Sequence, residues 1–355
     1  MQFIIKSSQS SLKNALNSKY GVLSIASNTV HTKMFSTTPF NQQDIHSWKN
    51  EISKKKKEAV DTITPSQVNL LGNTLDHPKF NYDQFPSQGT ELPPAWHLAY
   101  FPPRLPEKEL SKDGYDTDWS PPEPYTRRMW AGGKLEWDVH NPLRVGDQVR
   151  TEACLRDVDV KEEGEAAFVW ADYKFHNKYG LALKESRCWV YTNGYQKRKK
   201  EVSKITQNKS SSHEVLSNPE FTFNVTPSPI TLFRFSALTF NAHLIHYDHT
   251  YATEVEKQKG CLTHGPLSLV YMVNQLDQYL ATKDVDQSAG GNKPNSRKIK
   301  SIEYRCLNPL PVNEPITVCG RWKTDSESDP TYDLWITNNS GEIAVKGLAV
   351  IDKLK

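Results

Sequence analysis

The chain has 355 residues, of which 37% are hydrophobic and 24% charged, and its formal net charge is +3. That length suits two domains, or one domain built from two similar halves. So small a charge argues against a general nucleic-acid binder, which carries a concentrated basic face, and no apolar run approaches the roughly 18 residues of a membrane span.

The five cysteines, Cys154, Cys188, Cys261, Cys306 and Cys319, form no CxxC pair. An odd, scattered set excludes a disulfide framework or zinc ribbon as the organising principle, so reduced thiols are expected. The short basic runs Lys54 to Lys57 and Lys197 to Lys200 read as solvated faces or loops.

Residues 1–43 contain no Asp or Glu but carry Lys6, Lys13, Lys19 and Lys33 among many Ser, Thr and Asn residues. This is the composition of a mitochondrial presequence, although it lacks arginine; a plain polar tail is the alternative. The segment is set apart from the fold. From His46 to about Asp76 the pattern predicts helix, broken at Pro65. From Phe80 to Pro124 prolines exclude long regular elements, and Trp96 to Phe101 is the one apolar block, suited to a short helix. Strands follow at Gly133 to Trp137, Gln148 to Val158, Ala166 to His176 and Leu181 to Tyr191, with a turn at Asn177 to Gly180, which makes an antiparallel meander. The polar, serine-rich region after Tyr195 reads as a linker, placed at 196–225 between repeats at 44–195 and 226–355.

The second half repeats the first. Ile302-Glu303-Tyr304 and Asn308-Pro309-Leu310-Pro311-Val312 match Leu135-Glu136-Trp137 and Asn141-Pro142-Leu143-Arg144-Val145, offset by 167 (303 − 136). Ala344 and Lys346 match Ala182 and Lys184 with an offset of 162 (344 − 182). An internal duplication follows. Pro266 to Ala281 carries Leu269, Met272, Val273, Leu276 and Leu280 at helical spacing, with Pro266 suited to a first turn. Each half is then a helix, or its remnant, followed by antiparallel strands. That predicts an α+β fold, a double hot-dog in which two such units join their sheets into one.

The stretch Arg234 to Leu267 holds four of the eleven histidines: His243, His246, His249 and His264. Gly265 opens the predicted helix, whose first N–H groups and positive dipole end suit a carbonyl oxygen that gains charge. A nearby histidine can exchange a proton near neutral pH. Asn241 can hold a hydroxyl or water but cannot itself exchange protons. Two other readings stand beside this one. His243, His246, His249 and Asp248 are metal-ligand types, without the spacing of a known site. All four histidines can also simply cap turns and pack beside Tyr247 and Tyr251, and His249 fits that best. Hydroxyls such as Ser236, Thr239 and Thr263 more often bond local backbone than act as nucleophiles.

Phe235-Ser236-Ala237-Leu238-Thr239-Phe240-Asn241-Ala242-His243-Leu244-Ile245-His246-Tyr247-Asp248, Tyr251-Ala252 and His264-Gly265-Pro266-Leu267 closely resemble the fungal mitochondrial 3-hydroxyacyl-thioester dehydratases of type 2, within the MaoC-like (R)-specific hydratases. Arg127 to Gly133 with Pro142 to Asp147 resembles that family's first half. The resemblance implies a double hot-dog enzyme of the mitochondrial matrix that removes water from (3R)-3-hydroxyacyl thioesters. It implies an acyl carrier protein or coenzyme A thioester as partner, fatty acid synthesis that feeds lipoate, and no cofactor or metal. A monomer or homodimer is expected. His246, Asn241 and His243 are the expected catalytic residues, and Gly265, His264, Asp248 and Ser236 the expected substrate contacts. The wider hydratase pattern has an acid five positions before the histidine corresponding to His246; here that position is Asn241, and His243 is expected to supply the lost function. Rival functions are a hot-dog thioesterase using Asp248, an enoyl-CoA hydratase, and a non-catalytic acyl-binding scaffold.

Overall fold

In the computed structural model, the described residues are 41–80, 82–161, 164–192, 217–288, 297–323 and 329–352, and all fall in the compact unit Phe35–Lys355. Their ten strands form one antiparallel sheet. In chain order these are β1 (Lys56–Thr62), β2 (Arg127–Trp137), β3 (Gln148–Lys161), β4 (Ala166–Asn177), β5 (Gly180–Thr192), β6 (Phe221–Val225), β7 (Ile299–Cys306), β8 (Ile316–Lys323), β9 (Thr331–Thr337) and β10 (Ile343–Ile351). The spatial order is β1-β3-β4-β5-β2-β7-β10-β9-β8-β6. Each repeat is a meander with its first strand laid along the far edge. The two repeats meet at β2 and β7.

The duplication fixes this meeting point. Leu135 and Ile302 are equivalent in the repeat, and they are also direct cross-strand partners. An antiparallel pair in which a residue faces its own equivalent lies on a two-fold axis, so the halves are related by a local two-fold there. Both side chains are fully buried. The second sequence match is displaced: Glu136 faces Lys184, whereas its equivalent Glu303 faces Leu348. The true offset is thus 164 (348 − 184), not 162. A slip of two residues keeps every side chain on its own face, so alternation alone could not detect it.

The helices are α1 (Gln42–Ile52), α2 (Pro65–Thr74), α3 (Pro229–Thr239) and α4 (Gly265–Ser288). Asn41 caps α1 through its side chain, so that helix starts inside the segment set apart as 1–43. In α4, Leu267, Leu269, Val270, Tyr271, Met272, Val273, Leu276 and Leu280 are all buried. From Leu267 to Asn274 every residue is buried, so this stretch, wrapped by the sheet, needs no polar stripe, whereas Thr282 and Lys283 further on are exposed. The matching position of the first repeat holds only the 3₁₀ turn Trp96–Ala99. Pro93-Pro94 and Pro102-Pro103 bracket it and prevent extension. Trp96 Nε1 donates to Asn274 Oδ1 of α4 at 2.9 Å, tying remnant to helix.

Two local expectations change. Lys56–Thr62, expected as helix, is the edge strand β1 paired with β3. A charged edge strand needs little apolar surface and resists further pairing, so its composition imitates a helix face. Phe221–Val225, expected as linker, is the opposite edge strand β6 paired with β8. Its Phe-Thr-Phe-Asn-Val alternation is a strand signal; residues 196–216 of the expected linker lie outside the described residues.

The seam is built on close backbone approach. A Cβ on Gly133 would overlap the carbonyl oxygen of Ser186, and one on Gly132, whose φ is +138°, would overlap that of Tyr304. Gly132→Ala, whose Cβ would meet β7, is therefore expected to cost at least about 1–3 kcal/mol in urea unfolding. Gly260→Ala, whose Cβ would meet nothing nearer than 3.8 Å, should stay within about 0.5 kcal/mol of the parent. Equal stability of the two variants would contradict the seam geometry.

Candidate active site

Helix α3 starts at Ser228, whose hydroxyl accepts from Thr231 N, and stops at Phe240 in left-handed backbone. The chain then turns sharply. Asn241 N donates to Ser236 O at 2.8 Å, and Asn241 Oδ1 accepts from His243 N at 3.1 Å. Leu244–His246 is a single 3₁₀ turn. The return strand is tied on both sides: Leu262 N donates to Ile245 O at 3.0 Å and Thr263 N to Leu310 O at 2.8 Å. These bonds bring His246 beside His264 and Gly265, although 18 residues (264 − 246) separate the two histidines.

Three imidazoles cluster. The rings of His246 and His264 stack, with centroids 3.6 Å apart and planes 19° from parallel, and His243 meets His246 edge-on at 5.6 Å. His246 Nδ1 lies 2.8 Å from Leu262 O. A carbonyl only accepts, so Nδ1 carries the proton and the neutral ring keeps its lone pair on Nε2. Burial, then the neighbouring His264 and His243, hold the pKa of His246 well below its ordinary value. His264 is pushed down to about 3 by burial and then by His243. Both rings are therefore neutral at physiological pH, and a charge among the three is best carried by His243, which faces a carboxylate.

That carboxylate is Asp113, with Oδ2 3.5 Å from His243 Nε2. Tyr251 OH lies 2.9 Å from Asp113 Oδ2 and 2.9 Å from Glu256 Oε1, and Glu256 pairs with Arg127 of β2. At the helix start, a Cβ on Gly265 would come within 2.7 Å of Trp130 Cδ1. Only glycine lets the α4 N-terminus rest on this ring, which Trp130 Nε1 orients by donating to Tyr304 OH at 2.8 Å.

The expected residues divide. His243, His246, Asn241 and Gly265 line one cleft with Asp113 and Trp130. His264 lies behind the wall: it is fully buried, and its Nε2 is 2.8 Å from Ser236 Oγ. It stacks against His246 and does not line the cleft. Ser236 is likewise buried and bonded to it, although it borders the cleft. Asp248 is absent from the wall; its Oδ1 caps the next turn by accepting from Tyr251 N at 2.9 Å. Thr263 borders the cleft, and its buried hydroxyl has no partner among the described residues. His249 is exposed, and no group of His, Cys, Asp and Glu among the described residues could hold a metal ion. Arg128 and Arg144, basic residues suited to meeting a carrier, are paired with Asp116 and Glu91. Sequence reasoning missed Asp113, Tyr251, Glu256 and Trp130 as parts of the site. No spacing rule could find Asp113, because it arrives from a proline-rich loop of the other repeat.

The sequence profile of the hydroxyacyl-thioester dehydratase type 2 family matches residues 95–312. The chain is 35% identical over 223 residues to the mesaconyl-C(4)-CoA hydratase of Chloroflexus aurantiacus, covering 62% of this chain and 75% of that protein. It is 28% identical over 304 residues to the mitochondrial hydroxyacyl-thioester dehydratase type 2 of Schizosaccharomyces pombe, covering 78% and 91% respectively. Among solved structures, a MaoC-like dehydratase of Phytophthora capsici aligns with a TM-score of 0.59 over 86% of this chain and 99% of that one, at 16% identity, which shows a shared fold.

The neutral histidines make stability depend on pH. An unfolded histidine titrates near 6.5, whereas folded His264 titrates near 3. Between these values the unfolded chain takes up a proton that the folded chain refuses. Stability therefore falls as pH drops from about 6.5 towards 3, with a slope near ~1.4 kcal/mol per pH unit for one such group. His264→Gln is expected to flatten that acid slope in urea unfolding between pH 4 and 7; an unchanged slope would contradict the buried neutral state.

Proposed function

The chain belongs to the hydroxyacyl-thioester dehydratase type 2 family, and on that premise we propose that it removes water from (3R)-3-hydroxyacyl thioesters to give trans-2-enoyl thioesters. It is a hydro-lyase of acyl thioesters. In the proposed step the thioester carbonyl lies at the N-terminus of α4, where first-turn N–H groups lack intrahelical acceptors and the dipole favours developing negative charge. His246 Nε2 takes the proton from C2. The C3–O bond breaks, the hydroxyl leaves as water with a proton from His243, and the C2 electron pair becomes the double bond. Exchange with water in the cleft then resets both histidines.

One observation carries this reading. His246 is a neutral imidazole whose Nδ1–H is fixed on Leu262 O, which leaves Nε2 as the base beside a helix start that Gly265 lets pack directly on the Trp130 ring. Two imidazoles in environments that push their charges apart provide a base and an acid in one site. The thioesterase rival is disfavoured because Asp248, the carboxylate it would use on water, is spent as a cap. A mitochondrial setting in fatty acid synthesis, with acyl carrier protein as the carrier, is supported by the acid-free segment 1–43 and by the mitochondrial name of the fission-yeast relative. The Chloroflexus relative is named for a coenzyme A thioester, so assays should offer both carriers.

His246→Ala is expected to lower enoyl-thioester formation at least about 10²-fold, the usual scale for losing an acid–base group. Near-parental turnover by a folded His246→Ala protein would remove it from the mechanism. Gly265→Ala, which must displace Trp130 or the helix start, is expected to lower kcat/KM at least about tenfold, since small misplacements of reacting groups are costly. Free thiol release in place of enoyl absorbance would instead favour the thioesterase.

A further inference from the structure

Asp113 occupies a position that the mechanism above leaves unused. Its side chain is 6% exposed, and it sits in the turn between Ser111 and Asp116, in the proline-rich segment of the first repeat. Three contacts press this turn onto the histidine motif. Asp113 O accepts from Leu244 N at 2.8 Å. Gly114, at φ +87°, has no room for a Cβ, which would overlap the carbonyl oxygen of Ala242. Asp113 Oδ2 lies 3.5 Å from His243 Nε2. The carboxylate is thus held against the backbone that carries the imidazole it faces, so the two move as one body.

We propose that Asp113 is the positioning carboxylate for His243, holding its Nε2–H and favouring the imidazolium that protonates the leaving hydroxyl. This rests on the dehydratase reading above. Asn241, in the same loop, cannot do this because an amide carries no charge. The surrounding charges are arranged to leave Asp113 available. Arg127 pairs with Glu256, and Arg128 pairs with Asp116 and lies over the Tyr115 ring at 4.4 Å. Asp113, the Tyr115 ring at 5.4 Å, and the neutral imidazoles of His246 and His264 lie around His243. The groups facing the carboxylate are Tyr251, with its second contact to Glu256, and Ser111. Burial alone would raise the pKa of Asp113; the bonds from His243, Ser111 and Tyr251 more than offset this and keep it ionised. Each repeat then contributes to the acid: the second brings the imidazole and the first its counter-charge.

The test is the pH dependence of dehydration in the full chain. Asp113→Asn keeps the shape and removes the charge. It is expected to lower kcat on the order of 10²-fold with KM within about threefold. It should also move the alkaline limb of the kcat profile down by at least about one pH unit, because the imidazolium loses its counter-charge. A parental kcat, or a loss equal at every pH with the limb unmoved, would overturn the proposal. If Asp113→Asn does not fold, Asp113→Glu decides: it retains the charge, so its limb should stay at the parental position whatever its rate, and a displaced limb would overturn the proposal. The underlying reading fails separately. An active His246→Ala removes the whole scheme, whereas an inactive His246→Ala with an unmoved Asp113→Asn limb removes Asp113 alone.

Discussion

Everything in this molecule depends on how closely β2 and β7 approach. Their pairing places Leu135 opposite Ile302 on the local two-fold and relies on Gly132 to admit the Tyr304 carbonyl of β7, while Gly133 admits that of Ser186 in β5 on the other side. Because β2 belongs to the first repeat, this seam carries first-repeat side chains into the site of the second. Arg127 reaches Glu256, and Trp130 reaches both Gly265 and Tyr304. A looser seam would leave the α4 N-terminus without its aromatic floor. Sheet closure and site assembly are therefore one packing problem, solved by residues that lack side chains.

The duplication is symmetric in its strands and asymmetric in its helices. Both repeats lay a short first strand on an outer edge and run a three-strand meander inwards. The second keeps a 24-residue helix, while the first keeps a four-residue 3₁₀ turn between proline pairs. A long helix start aimed into the fold is what can stabilise an enolate-like oxygen. One such start gives one site, and the shortened half supplies walls and counter-charges. Its buried His97 and Glu185, 3.0 Å apart, hold the remnant turn to β5 much as Trp96 holds it to α4.

The sequence showed those features that are local. Period-two runs marked β2 to β5, a helical apolar spacing marked α4, and the fixed offset of 167 exposed the repeat. That His246 and Gly265 would line one cleft was legible because a histidine-rich turn and a glycine-led helix start have local signatures. Contacts that cross the chain were not. Asp113 and His243 lie 130 positions apart (243 − 113), and only the folded seam joins them. His264 read as a substrate contact because its motif is shared with Gly265, yet a one-residue step along the chain turns it into the core. Asp248 read as chemistry because its type suits it, whereas the local backbone claims it as a cap. β1 was hidden because charged edge strands avoid the apolar alternation that normally betrays a strand.

The proposed function comes down to a stereospecific acid–base site built around one thioester carbonyl. His246 and His243 both lie on the segment between α3 and α4, so on the proposed reading one fixed pair handles C2–H and the C3 hydroxyl, and the (3R) hand is the one the family resemblance implies. The most direct measurement follows conjugated enoyl-thioester absorbance from separate (3R)- and (3S)-3-hydroxyacyl thioesters with the unaltered protein. The account predicts turnover of the (3R) substrate alone, without release of free thiol. Turnover of the (3S) substrate at a comparable rate, or of neither on either carrier, would contradict it.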